Sequence, residues 1–279
     1  MQLKPGLYII STPIGNLGDI TLRALEVLSK CDLILCEDTR VTHKLLVKHN
    51  ITATLKPYND NSDDNFHNIV EQQILSGKSI GLISDAGTPL ISDPGYKLVR
   101  RLKQNGVHLD VIPGPCAAIA AMTLSGLPTD KFFFHGFLPK TKMAKINSLE
   151  KLKNFDYSLI FYESPMRLLD TLQIALEVLG DRPANVAREL TKLFQSSKTD
   201  KLSHLIEFYT ATPPKGEIIL IISGNTEILT LQDIEQEASL LLQQNQSVRT
   251  TTEELMIKYK GTFNRSEVYK FVHNMNKLL

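Results

Sequence analysis

Tryptophan is absent from the 279 residues, and cysteine occurs only three times, at Cys31, Cys36 and Cys116. The odd number and the lack of any C-x-x-C spacing argue against a disulfide framework or a cysteine-based zinc site, so three reduced thiols and no metal are expected. Net charge is almost absent too, with 31 basic against 30 acidic residues for a formal +1. The overall field therefore does nothing to attract a polyanion, and any anionic partner has to be met by a local patch. No apolar run approaches the length needed to cross a bilayer, and Met1 to Leu7 lacks a charged segment followed by a hydrophobic targeting core. These two absences give the expectation of a cytoplasmic protein with no membrane partner. Also missing are a G-x-G-x-x-G after the first strand and a complete G-x-x-x-x-G-K-[ST], which removes the nicotinamide and triphosphate readings.

What is present is ordinary globular sequence, 42% hydrophobic and 22% charged, long enough for two domains with separate cores. The most informative stretch is SDAGTPLISDPG, residues 84 to 95, which follows the apolar run Ser79 to Ile83. Gly87 and Gly95 permit positive φ, Pro89 and Pro94 fix the chain and withhold their N–H groups, and Asp85 and Asp93 can bond neighbouring amides. A stiff loop at the carboxyl end of a buried strand is where open α/β sheets place ligands. It reads as a cofactor loop.

The first third alternates between short β-rich runs and helical patterns. Strands are predicted at Leu7–Ser11, Leu33–Cys36 and Leu109–Ile112, besides the run at Ser79–Ile83. Helices are predicted at Ile20–Ser29, Val41–His49, Phe66–Leu75 and Tyr96–Gln104, with a polar gap over Asn59–Asn65. That order implies parallel strands joined by crossover helices. An Ala-rich helix from Pro115 to Leu124 ends at Leu127-Pro128-Thr129, a domain junction because proline breaks the pattern. Beyond it, strands at Phe132–His135, Ser158–Tyr162, Asn185–Arg188 and Glu217–Ile222 and a helix at Arg167–Leu179 make a second α/β layer of mixed strand direction. After Gly224 the chain turns Gln-rich and helical, with helices at Leu231–Gln243, Thr252–Tyr259 and Ser266–Met275, and a Thr251/Glu254 capping box. The expected domains are residues 1–125, 126–224 and a helical extension over 225–279.

Four further stretches stand at strand ends. TPIGNLGD turns on Gly15 and Gly18; CEDTR gathers Glu37, Asp38 and Arg40; VIPGPCAA opens a helix with Cys116 and Ala117, small enough for a flat base to lie against the backbone. FYESPMR and ARELTKLF bring Glu163, Arg167, Arg188, Glu189 and Lys192 to the second sheet. CEDTR reads equally as a local ion-pair cap or as a substrate-orienting group. The best local basic patch is Lys140, Lys142, Lys145, Lys151 and Lys153, opposed only by Glu150; a solvated helix face is its plain alternative.

TPIGNLGD, CEDTR, SDAGTPLISDPG, VIPGPCAA, GFLPK, FYESP, ARELTK and KGEIILIISG, in this order over residues 6 to 224, resemble the ribose 2′-O-methylating branch of the tetrapyrrole methylase family. The resemblance implies two α/β domains of that type with the cofactor cleft between them, a homodimer, and S-adenosylmethionine as cofactor. It implies 2′-O-methylation of a cytidine ribose in the decoding region of 16S ribosomal RNA, free or in the small subunit. Carried over, Pro13, Asp85, Ala86, Gly87, Leu90, Cys116, Ala117, Glu163 and Leu190 fall where the family touches S-adenosylmethionine. Asp85 or Asp38 is the expected proton acceptor, with Glu37 and Asp19 the other acids at the strand ends. Arg40, Lys140 and Arg167 are the expected phosphate contacts. Met166 stands where close relatives often carry His, so no imidazole role transfers. A tetrapyrrole or small-molecule methylase and a catalytically silent rRNA-binding assembly protein are the alternative readings.

Overall fold

The computed structural model describes residues 3–59, 62–225, 231–244, 246–259 and 263–277. Met1 and Gln2, and Asp60 and Asn61 of the polar gap, lie outside the described residues. Contacts divide the chain into two compact units, Met1–Gly224 and Asn225–Leu279.

The first unit begins with β1 (Gly6–Ile10), α1 (Leu22–Leu28), β2 (Leu33–Cys36), α2 (Thr39–Lys48), β3 (Leu55–Pro57), α3 (Asp64–Leu75), β4 (Ser79–Leu82), α4 (Tyr96–Gln104), β5 (Leu109–Ile112) and α5 (Ala117–Leu124). Its sheet has the order β3-β2-β4-β1-β5, and every pairing is parallel. The strands are apolar on both faces, as a sheet covered on both sides requires. Tyr8, Ile10, Ile34 and Cys36 pack with Ala24, Leu28 and Leu45 on one face. The alternate residues Leu7, Leu33 and Leu35 pack with Val70, Ile74, Leu98 and Leu102 on the other. Neighbouring β4 and β1 send their connections in opposite directions, β4 onward to β5 and β1 back to β2. The loops leaving their carboxyl ends diverge and open a crevice.

The same unit continues with β6 (Phe132–Phe137), α6 (Lys142–Glu150), β7 (Ser158–Glu163), α7 (Pro165–Leu179), β8 (Pro183–Arg188), β9 (Ser196–Lys201), α8 (Leu202–Ala211) and β10 (Ile218–Ile222). The second sheet runs β6-β7-β10-β8-β9, parallel only between β6 and β7, so its mixed character was legible. One face is covered by α6, α7 and α8 through Leu149, Leu168, Leu172, Ala175 and Leu205. Against the other face lies α5, whose Ala118, Ala121 and Met122 meet Ile160, Ala187, Ile219 and Ile221. The Ala-rich composition of α5 thus serves close helix-on-sheet packing.

Two edge strands escape an apolar pattern search. β3 is only three residues long, and β9 (SSKTDK) buries no residue fully. β9 is held instead by its ladder to β8 and by the buried Asn185 amide, which donates to Ser197 and Thr199 hydroxyls at 2.8 and 2.7 Å. Its charged residues Lys198, Asp200 and Lys201 discourage further strand addition.

The second unit comprises α9 (Glu235–Gln243), preceded by a 3-10 turn at Leu231–Ile234, α10 (Val248–Lys258) and α11 (Arg265–Asn276), around Ile234, Ala238, Leu242, Leu255, Val268 and Val272. The expected capping box is displaced. Ser247, not Thr251, caps α10, accepting from Thr250 N–H at 3.1 Å, while Thr251 is buried inside the helix. Among the described residues no helix is long and apolar enough to cross a membrane.

Candidate active site

The loops at the carboxyl ends of β1, β4 and β5 are tied together before they meet any ligand. Thr12 and Gly87 bridge the first two loops, and the Thr88 hydroxyl lies 3.0 Å from that of Ser11 and donates to Pro115 O at 3.0 Å. In the β4 loop Leu90 and Ser92 take φ of 72° and 65°, positions that cost a non-glycine residue energy. Leu90 turns its side chain into the core of the first sheet, where a Cβ on Gly95 would come within 2.9 Å of it. The loop is anchored through Leu90, and the residues on either side of it, Ala86 to Thr88 and Ile91 to Asp93, are left to face the cavity.

A cavity of about 370 Å³ lies over these loops. The first sheet contributes Ile14 from the β1 loop, Ala86, Gly87, Thr88, Ile91, Ser92 and Asp93 from the β4 loop, and Cys116 and Ala117 from the start of α5. The second sheet contributes Phe137, Tyr162 to Pro165, Ala187, Leu190 and Gly216 to Ile219. Tyr162 packs edge-on to Phe134 and Phe137. Burial pushes this phenol up to about 12, with the charges of Cys116 and Asp93 adding to the shift.

ARELTK closes the far wall. Glu189 and Thr191 have φ of 50° and 64°. The Glu189 carboxylate receives Glu217 N–H at 2.9 Å and Lys192 Nζ at 2.9 Å, and Lys192 reaches Glu217 at 3.0 Å. Gly216, at φ 85°, leaves room for the Glu189 carboxyl, which a Cβ there would strike. The β1 loop rests on the same segment, with Asn16 N–H donating to the Thr191 hydroxyl at 3.1 Å.

Beneath the cavity runs a buried polar chain. Lys145 Nζ donates to Asp170 Oδ2 at 2.5 Å and to the Thr171 hydroxyl at 2.8 Å; Thr171 donates to Glu163 Oε2 at 2.6 Å. Glu163 Oε1 receives Ser164 N–H at 2.8 Å and has Arg167 Nε at 3.4 Å.

Of the residues carried over for cofactor contact, Ala86, Gly87, Cys116, Ala117, Glu163 and Leu190 line the cavity; Pro13, Asp85 and Leu90 are not among its lining. Asp85 instead receives Asp38 N–H at 3.0 Å, and its own N–H donates to Glu37 at 3.3 Å, a junction between the β2 and β4 loops. Asp38 caps α2 and holds Arg40 through Nε and Nη2, at 3.0 and 2.6 Å. The Arg40 hydrogen bonds keep its carboxyl at about 2. In the basic patch Lys140, Lys142, Lys151 and Lys153 are exposed, but Lys145 is buried. Arg167 is likewise engaged, its Nη2 donating to Leu138 O at 2.7 Å and Pro139 O at 3.0 Å beside its pairing with Glu163. These two cations hold protein groups because the carbonyls and carboxylates of their own domain surround them. Asp93, Thr88, Tyr162 and the Gly216–Ile219 wall went unassigned as site residues. SDPG and KGEIILIISG carried the signal for Asp93 and that wall.

The lining decides which ligands suit it. The walls are largely apolar and narrow at small residues, and the acidic side chains lining them are Asp93, Glu163 and Glu217, with no lysine, arginine or histidine. A polyphosphate would meet repulsion there; a flat, cationic ligand of nucleoside size would not.

The two sheets and the cleft they share belong, by fold and by family match together, to a class of methylases. Residues 6–206 match the model of the Tetrapyrrole (Corrin/Porphyrin) Methylases, and the chain belongs to that family, within its ribosomal RNA small subunit methyltransferase I branch. The ribosomal RNA small subunit methyltransferase I of Rickettsia prowazekii is 48% identical over 98% of this chain and 98% of its own length. That of Haemophilus influenzae is 40% identical over 96% and 93%, and that of Erythrobacter litoralis 53% over 81% and 80%. Among solved structures, a diphthine synthase aligns with a TM-score of 0.60 at 15% identity, covering 82% of this chain and 93% of that one. A cobalt precorrin-4 methyltransferase aligns at 0.58 and 17%, covering 78% of this chain and 95% of that one. At these identities the structural matches speak for the fold alone. The chain is a methyltransferase and uses a methyl donor.

Proposed function

We propose that this chain methylates the 2′-hydroxyl of a cytidine ribose in the decoding region of 16S ribosomal RNA, with S-adenosylmethionine as donor. The observation that carries the reading is the cavity between the two sheets, apolar and lined by carboxylates, in a chain whose relatives at 40–48% identity over nearly the whole length are small-subunit rRNA methyltransferases. In this reading the catalytic unit is an N-terminal domain (1–125) and a second domain (126–224) that share the cleft, and the protein works as a homodimer in the cytoplasm.

In this reading Gly87, Ala86, Cys116 and Ala117 hold the donor's nucleoside through backbone and small side chains. Leu190 covers it, and Glu163 fixes the Ser164–Pro165 turn. Pro13, Leu90 and Asp85 act at one remove by setting the β1, β4 and β2 loops. The bound donor supplies an electrophilic methyl on a sulfonium. Alignment of the reacting atoms by these loops contributes up to about 7–11 kcal/mol, whereas a general base contributes about 10²- to 10⁴-fold, near 3–5 kcal/mol. Positioning is therefore the larger share. Exposed Arg40 and Lys140 meet phosphates, and the 2′-hydroxyl distinguishes RNA from DNA.

Nucleoside mass spectrometry of small-subunit RNA from cells with and without this chain tests the reading. Loss of one 2′-O-methylcytidine is expected. Unchanged RNA, with transfer of labelled methyl to a macrocycle instead, would replace it with the small-molecule reading.

A further inference from the structure

Three carboxylates line the cavity, and two of them are already committed. Glu163 is fully enclosed, with both oxygens bound by Ser164 N–H and the Thr171 hydroxyl and Arg167 alongside. Glu217 is paired with Lys192 at 3.0 Å and leaves most of its side chain in solvent. Asp93 lines the cavity with the Ser84 hydroxyl, itself turned toward Ala86 O and Gly87 O, as its nearest polar influence, and among the described residues no lysine or arginine pairs with it. The acids expected from the sequence are worse placed. Asp38 is clamped by Arg40, and Asp85 gives an oxygen to Asp38 N–H beyond the cavity wall.

We propose that Asp93 is the general base of the reaction, an inference that rests on the ribose-methylation reading above. The hydroxyl oxygen forms its bond to the methyl carbon as the carbon–sulfur bond breaks and the electron pair stays on sulfur. The hydroxyl proton passes to the Asp93 carboxylate and from there to solvent. Charge balances, because a sulfonium and a carboxylate become a thioether and a carboxylic acid.

The surroundings tune Asp93 for this task. Burial raises its carboxyl to about 6, with the charge of Asp85 adding to the shift and the Ser84 hydroxyl opposing it. A base of that strength is mostly ionised at neutral pH yet takes a proton more readily than an exposed aspartate. Tyr162 from β7 feels the charge of Asp93, and the other titratable groups that line the cavity with it are Cys116 at the start of α5, Glu163 at the end of β7 and Glu217 before β10. Tyr162, pushed up to about 12, stays neutral and adds no competing charge.

The test uses full-length protein, small ribosomal subunits and 16S RNA, comparing wild type with D93N and D85N. D93N is expected to lose about 10²- to 10⁴-fold in kcat while its donor affinity by calorimetry stays within about threefold. Wild-type kcat should fall below a midpoint near 6, the value set for Asp93. D85N removes the neighbouring charge, so that limb, and the Asp93 carboxyl carbon resonance in NMR, should both move to lower pH. This second variant keeps the proposal testable if D93N fails to fold. Donor affinity that falls in step with kcat makes Asp93 a donor ligand and overturns the base role. An active D93N, or a limb unmoved in D85N, overturns it too. Wild type that leaves both RNAs unmethylated removes the ribose-methylation reading itself, a result distinct from either.

Discussion

Thr12 and Gly87 exchange a pair of backbone hydrogen bonds, Thr12 N–H to Gly87 O at 2.8 Å and Gly87 N–H to Thr12 O at 3.1 Å. This isolated bridge joins the exits of β1 and β4, the two strands whose connections diverge. Gly87 holds φ 85° to make it, and its missing side chain faces Ile14 and Pro115 O.

Gly87→Ala is therefore expected to do two separable things. The left-handed backbone costs an alanine about 1–2 kcal/mol, which a urea titration would read as a lower midpoint. The added methyl lies 3.4 Å from Ile14 Cγ2 at the cavity floor, so donor affinity by calorimetry should fall at least severalfold beyond the stability loss. Unchanged affinity would place the donor away from this loop.

Much of this arrangement was legible in the residues. Leu33–Cys36, Leu109–Ile112 and Tyr96–Gln104 coincide with β2, β5 and α4, because apolar strands flanked by turn residues and an amphipathic helix carry strong local signals. SDAGTPLISDPG announced a rigid loop at a strand end. Which of its aspartates faces the cavity was not legible, since that depends on Leu90 and Ser92 adopting positive φ and turning the chain between Asp85 and Asp93. Nor could a lysine count tell Lys145, drawn inward by Asp170 and Thr171, from exposed Lys142 one turn away on the same helix. Local composition reports charge; only the tertiary partner reports where it goes.

The three cations expected at phosphates should separate on a salt titration. Arg40 has 87% of its side chain exposed and Lys140 is exposed, so each alanine variant should lower the slope of log K against log salt for 16S RNA by about 0.7–0.9. Arg167→Ala should leave that slope unchanged. Its guanidinium is spent on Leu138 O, Pro139 O and Glu163, so the loss should appear as a lower unfolding midpoint instead.

The Lys145–Asp170 pair predicts an asymmetry between its two halves. Lys145 is 1% exposed, whereas 57% of the Asp170 side chain is in solvent. Asp170→Asn leaves a buried ammonium without a counter-charge and should cost about 3 kcal/mol or more. Lys145→Met leaves a carboxylate that water can reach and fills the space with apolar volume, so it should cost about 1–2 kcal/mol. Urea denaturation of both variants reads the order directly. Equal losses would mean that the ammonium finds water once Asp170 is gone.

Asp93 should leave its mark on stability as well as on rate. Its carboxyl lies at about 6 in the fold against an ordinary 3.8, because burial disfavours the charged form. The folded state thus binds more protons than the unfolded chain between these values, and stability falls as pH rises through the window. The contribution is complete below about 3.8 and lost once pH passes 6. Asp93→Asn carries no titrating proton, so relative to wild type it should gain stability steadily from pH 4 to 6 and keep that gain above it. Melting temperatures of the two proteins across this range supply the measurement, and parallel curves would mean that the carboxyl titrates as an exposed one. A site that becomes firmer when its acid is neutralised, while losing its rate, is what a base held in a partly desolvated cleft requires.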